Sequence, residues 1–225
     1  MRNINFATEE FYHIYNRGTE KRKVFLDRAD YYRFIILLYL SNSDSPINMR
    51  EARILGPDYQ GLSKINQGET LVDIGAYCLM PNHFHLLLRE RVEGGISKFM
   101  HRLMTAYTMY FNGKNDRTGA LWQGVFKAQH ADSDNYLKYL FSYIHLNPIK
   151  LIQSDWKEKG IKDMIKSKKY LERFEYSSLL DYIGEDRYQG IILNKKEFPE
   201  YFKDQVDFKN DLLDWLRFDP NKLDL

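Results

Sequence analysis

The chain has 225 residues, 44% hydrophobic and 15% aromatic, enough to bury one sizeable domain core and an appendage. With 33 basic against 31 acidic side chains the formal charge is only +2, so no overall positive field marks a nucleic-acid binder and any path for a polyanion must be local. The lone cysteine, Cys78, excludes a disulfide framework and a thiolate zinc cluster, and the lack of a run of about 18 apolar residues or of a signal peptide's apolar segment points to a soluble, cytoplasmic protein with no membrane partner.

FYHIYNRG at 11–18 alternates as a strand, with Phe11, His13 and Tyr15 on one side and Tyr12, Ile14 and Asn16 on the other. His13 reads first as a structural strand histidine, with an approach to the active site as the alternative. A helix from Asp27 to Leu40 follows, capped by Asp27 or Asp30, with Phe34, Leu37 and Leu38 facing inward. Residues 41–70 are polar and rich in Ser, Asn, Gly and Pro without sustained periodicity, and read as an insertion loop with no assigned role.

YCLMPNHFHLLL, residues 77–88, is the stretch around which the rest is organised. LVDIG leads into it, Pro81-Asn82 supplies turn chemistry and HFHLLL restarts a strand, so two antiparallel strands are predicted. Alternation then puts His83 and His85 on one side of the second strand and Phe84 and Leu86 on the other. Cys78 reads as a small buried strand residue. Next, ISKFMHRLMTAYTMYFN at 96–112 is a helix with a stripe of Ile96, Met100, Leu103, Tyr107 and Phe111, leaving His101 outside. After the loop 112–119, ALWQGVFKAQHA at 120–131 reads as a fourth strand bulged at Gly124.

DNYLKYLFSYIHLNPIK, 134–150, is a second long helix, capped by Asp132, Ser133 or Asp134 and ended by Pro148, with Leu137, Leu140, Phe141 and Ile144 as its apolar side. Tyr139, Tyr143 and Asn147 are four apart and share one face; His145 faces away. If that face lies over the histidines, two imidazoles and an amide oxygen form a cation site beside a tyrosine hydroxyl. Tyr136, Tyr139 and Tyr143 all compete for a nucleophile's place, and a residue before proline is biased away from helical geometry, which bears on Asn147. From Trp156 onward the chain is strongly charged, with helices expected near Ile161–Ile165, at YSSLLDYI (capped by Ser177 or Ser178) and within 198–217. The order β-α-β-β-α-β-α predicts an α+β fold: a ferredoxin-like four-stranded antiparallel sheet with helices packed on one face, residues 1–152, plus a helical C-terminal extension, 153–225.

Five segments in this order, YHIYNRG, YCLMPNHFHLLL, HRLMTAYTMYFN, GALWQGVFKAQ and YLFSYIHLNPIK, resemble the REP-associated tyrosine transposases, relatives of small single-stranded-DNA transposases within the HUH endonuclease group. U is a hydrophobic residue; here the triplet is His83-Phe84-His85. The resemblance spans residues 11–152 and, more faintly, YSSLLDYIG at 176–184. It implies a metal-dependent single-stranded DNA endonuclease and strand transferase that acts at hairpin-forming repeats through a 5′-phosphotyrosine intermediate. Tyr143 then occupies the nucleophile position, and His83, His85 and Asn147 are the metal ligands. The ion is Mg2+ or Mn2+, the two nitrogens favouring manganese.

The expected partner is single-stranded or hairpin DNA, with monomer and homodimer both open. Its phosphates would meet Arg17, Lys21, Arg22, Arg102, Arg117, Lys127 and Lys150, with Lys23 and Lys114 as further cations, and Tyr12, Tyr15, Tyr107, Tyr110 and Trp122 offer stacking planes or core. Two other readings keep the fold without the chemistry: a catalytically silent DNA-binding module and an RNA-binding ferredoxin-like domain.

Overall fold

The computed structural model describes residues 4–45, 62 and 64–199. Strand β1 (Phe11–Arg17) leads to helix α1 (Arg28–Ser41), then strands β2 (Val72–Met80) and β3 (His83–Glu90), helix α2 (Gly95–Lys114), strand β4 (Lys127–His130) and helix α3 (Asp134–Leu146). The strands lie in the order β2-β3-β1-β4, every neighbour antiparallel, which is the ferredoxin-like arrangement expected from the sequence. Three short helices follow, α4 (Trp156–Lys159), α5 (Met164–Leu171) and α6 (Leu179–Tyr182).

Local chemistry sets these boundaries. The Asp27 side chain accepts from the Asp30 amide and starts α1, whose Phe34, Leu37 and Leu38 are fully buried. Ser133 caps α3 by accepting from the Tyr136 amide. Pro81 and Asn82 form a two-residue turn, braced where the Val24 and Phe25 amides donate to the Pro81 carbonyl.

Strand alternation divides the core in two. Ile14, Phe84, Leu86 and Leu88 point to the face covered by α1 and α2, where they pack with Phe34, Phe99, Leu103 and Tyr107. On the other face, Cys78, Met80 and Leu87 meet Leu140, Phe141 and Ile144 of α3, together with Trp156, Leu171, Phe174 and Leu179 of the extension. Helices on one face therefore describes α1 and α2. The apolar stripe of α3 needs a surface of its own, and the opposite face of the sheet supplies it.

Two local expectations change. The fourth strand is only Lys127–His130; residues 121–126 leave the ladder, Gly124 turning with φ +67°, and Trp122 keeps a single bridge to Gly18. The bulge lies instead in β2, where the register slips between Ile74 and Ala76 and sends these two to opposite faces. Gly75 occupies the slip because a Cβ there would sit 2.4 Å from the Phe198 ring. Of the predicted 198–217 segment, residues 200–217 fall outside the described residues, as does most of the 41–70 loop.

At Gly95 a Cβ would lie 2.2 Å from the Leu71 carbonyl oxygen, a backbone atom that cannot swing aside. We expect Gly95→Ala to lower unfolding free energy by about 1–3 kcal/mol. Gly113, in the same helix with nothing within 4 Å of its Cβ position, is the control, and Gly113→Ala should leave stability equal or slightly higher in urea titration.

His145 is fully buried on α3, its Nε2 2.8 Å from the Ser178 hydroxyl. Burial pushes its imidazole down to about 3. The folded state thus takes up its proton later than the unfolded chain, so this contribution to stability is present above about pH 6.5 and is lost as pH falls toward 3. His145→Gln should reduce the slope of unfolding free energy against pH between pH 6 and 4 by up to about 1.4 kcal/mol per pH unit, measured by denaturant titration in chelator.

Candidate active site between the histidine hairpin and the tyrosine helix

On β3, His83 and His85 project to the α3 side with ring centroids 5.0 Å apart. Helix α3 crosses above them and turns Tyr143 inward. The Tyr143 ring stands edge-to-face to His85 at 5.5 Å and to His13 at 5.9 Å, and is half-buried. Tyr136, Tyr139 and Tyr143 form a ladder of stacked rings, 6.1 and 5.9 Å apart. Asn147 keeps helical dihedrals, φ −52° and ψ −36°, despite Pro148, because the chain continues into a 3-10 turn in which Asn147 is the first residue and the proline the second, inside the first turn where its missing N–H leaves no bond unmade. The expected bias away from helix is overridden, so Asn147 stays in line with Tyr143 and is buried.

The histidines are held in defined states. His13 Nε2 lies 2.8 Å from His85 Nδ1. One of these nitrogens carries the proton; with it on His85 Nδ1, His85 Nε2 keeps its lone pair for an electrophile. Burial pushes His13 down to about 3, with Lys157 adding, and pushes His85 well below its ordinary value, with His13 and His83 adding. The His83 Nδ1 is 2.6 Å from the Asn82 amide oxygen, which makes Nδ1 the donor and leaves Nε2 unprotonated. Burial and Lys150 push His83 down to about 4, against the opposing side-chain hydrogen bond to Asn147, which accepts.

Do these groups fit a divalent ion? His85 Nε2 and Asn147 Nδ2 are both buried with no hydrogen-bond partner, and an amide flip would exchange the Asn147 nitrogen for its oxygen. Two neutral imidazoles and an amide oxygen are an acceptable set for Mn2+ or Mg2+, with positions left open. Among the described residues no group of three or more His, Cys, Asp or Glu could hold a metal ion, so a site here depends on the Asn147 amide as third ligand.

Beside His83 runs a cleft of about 720 Å³, lined by Tyr15, Arg17, Lys21, Lys23, Lys127 and Lys150 among others. Glu20 and Lys21 both take left-handed φ, 58° and 61°, a costly conformation for non-glycine residues, in the turn that brings Lys21 to the cleft. The remaining basic candidates do not line it. Arg22 pairs with Glu20, Arg102 donates to the Ser43 and Ser45 carbonyls, Arg117 bonds Asn112 and the Ala120 carbonyl, and Lys114 bridges Asp27 and Asp30. Tyr12, Tyr107 and Trp122 are buried in the core; Tyr15 is the aromatic that reaches the cleft.

Two residues of the site lie outside the predicted set: His13, read from the sequence first as structural and only second as near the active site, and Lys157. His13 faces Leu87 across the β1–β3 ladder, two rungs from the Tyr15–His85 match, and this register has no signature in the sequence. Lys157, from the charged extension, donates to the Tyr143 hydroxyl at 2.8 Å.

No curated protein matches the chain. Among solved structures it aligns with "Structure of the REP associates tyrosine transposase bound to a REP hairpin" at 12% identity and a TM-score of 0.49, covering 81% of this chain and 84% of that one. Residues 56–147 match the family model described as "Transposase IS200 like". That stretch, which holds both the histidine hairpin and the tyrosine helix, is where the chain is similar to the IS200-like transposases.

Proposed function

We propose that the protein is a single-strand-specific DNA endonuclease and strand transferase in which Tyr143 attacks the scissile phosphorus. The convergence of the Tyr143 ring on the buried His13–His85 pair is the observation that carries this reading. A phosphodiester resists attack because its oxygens are anionic, so the site must place a nucleophile and offset charge. His83, His85 and Asn147 would hold a divalent ion, Mn2+ or Mg2+, which when bound supplies Lewis-acid polarisation of the phosphate. His13 fixes the His85 tautomer. Arg17, Lys21, Lys127 and Lys150 bind the backbone of a single strand in the cleft while Tyr15 offers a stacking plane.

In this reading residues 1–152 form the nuclease unit, residues 153–225 an extension, and the natural substrate is a hairpin-bearing single strand. Attack by Tyr143 leaves a phosphotyrosine at the 5′ end and frees a 3′ hydroxyl, so the bond can be resealed or transferred. Incubation with labelled hairpin DNA and Mn2+ tests this: a covalent adduct on denaturing gels supports the enzyme, and tight binding without one makes the protein a binding module. Lys150→Ala should weaken single-strand binding similarly for all sequences. It should also reduce the slope of log affinity against log salt by about 0.7 to 1.

A further inference from the structure

We propose that Lys157 is a catalytic residue of this site, its ammonium holding the negative charge on the Tyr143 oxygen as that oxygen attacks and again as it departs. The proposal rests on the reading of Tyr143 as nucleophile. Its own support is geometric. Lys157 Nζ donates to Tyr143 Oη at 2.8 Å and lies 3.9 Å from the centre of the same ring, so the cation is fixed against both the reacting atom and the π face. Lys157 is placed by α4, whose Trp156 is buried in the core on the α3 side of the sheet and whose far end is tied by Gln153 Nε2 donating to the Gly160 carbonyl at 2.7 Å. Asp155, two residues away, is engaged by Lys159 and Lys162 at 3.2 and 3.3 Å.

The chemistry balances without a further reagent. In cleavage the Oη–P bond forms as the P–O3′ bond breaks; the phenolic proton passes to water and the departing 3′ oxygen takes one from water. Lys157 keeps its own protons and acts by charge. In rejoining, a 3′ hydroxyl attacks, loses its proton to water, and the phenoxide leaves against the same ammonium. Lys157 lies beyond the family-matched stretch 56–147, so the extension supplies a working group to the site.

The test compares single-turnover adduct formation on a labelled hairpin single strand with Mn2+ for wild type, Lys157→Gln, Lys157→Arg and Lys157→Cys, the last with and without 2-bromoethylamine. Cys78 is buried, so aminoethylation is confined to the introduced thiol and restores an ammonium at lysine's length. DNA affinity is measured separately with each Lys157 change in a Tyr143→Phe background. The proposal expects Lys157→Gln to slow adduct formation about tenfold to a hundredfold with little change in affinity. Lys157→Arg and the aminoethylated cysteine variant should recover most of the rate. An unchanged rate in Lys157→Gln, a loss confined to affinity, or no recovery on aminoethylation overturns it. A wild type that forms no adduct overturns this proposal and the nucleophile reading together; a wild type that forms one as fast as Lys157→Gln overturns this proposal alone.

Discussion

Tyr143→Phe is expected to form no covalent adduct with hairpin-bearing single-stranded DNA and to cut it about a thousandfold more slowly than wild type, or worse. The substitution removes one oxygen and leaves the ring, so the edge-to-face contacts with His85 and His13 and the stack on Tyr139 persist. Folding and DNA affinity should be nearly unaffected. Tyr139→Phe is the matched control: its ring lies one helical turn away in the same stack, and burial holds its phenol up at about 12, ill suited to attack at neutral pH. That variant should retain activity, and equal losses in both would remove Tyr143 from its role.

The second large effect concerns the residue between the histidines. Phe84 is fully buried on the opposite face of β3, its ring 5.1 Å from Phe34 and 5.2 Å from Trp122. Phe84→Ala should cost about 3–5 kcal/mol, combining lost transfer energy with the cavity left between α1 and the 121–126 segment. That is a large share of a domain's usual stability. Phe84→Leu, which keeps most of the volume, should cost less than about half as much in denaturant titration. The pair separates anchoring of the strand from the chemistry of its neighbours, because the leucine variant should still form the adduct if His83 and His85 stay aimed.

Much of this architecture could be read from residue order. The turn chemistry of Pro81-Asn82, the alternation that sends Phe84 to one face of the sheet and His85 to the other, and the four-residue spacing of Tyr143 and Asn147 are local patterns, and local patterns survive folding. Register and cross-face packing are not local. His13 sits against His85 only because β1 pairs with β3 rather than with β2, and Lys157 reaches Tyr143 only because Trp156 anchors a four-residue helix against the sheet. The bulge was expected at Gly124 because a glycine in a strand pattern suggests one. It lies at Gly75 because Phe198, more than a hundred residues later, needs the room. Arg102 and Arg117 show the same limit for charge, since a basic residue that caps backbone carbonyls looks in sequence like one that meets phosphate.

The central claim is that the Tyr143 oxygen, and no other, becomes bonded to phosphorus. Trypsin releases residues 139–150 as one peptide, YLFSYIHLNPIK, which contains both Tyr139 and Tyr143. Fragment-ion mass spectrometry of that peptide, after wild-type protein has reacted with a hairpin oligonucleotide and the DNA has been digested to a short remnant, locates the link directly. The account predicts the nucleotide mass on Tyr143. A remnant on Tyr139 or on any other residue, or an unmodified peptide from protein shown to have bound the DNA, would contradict it.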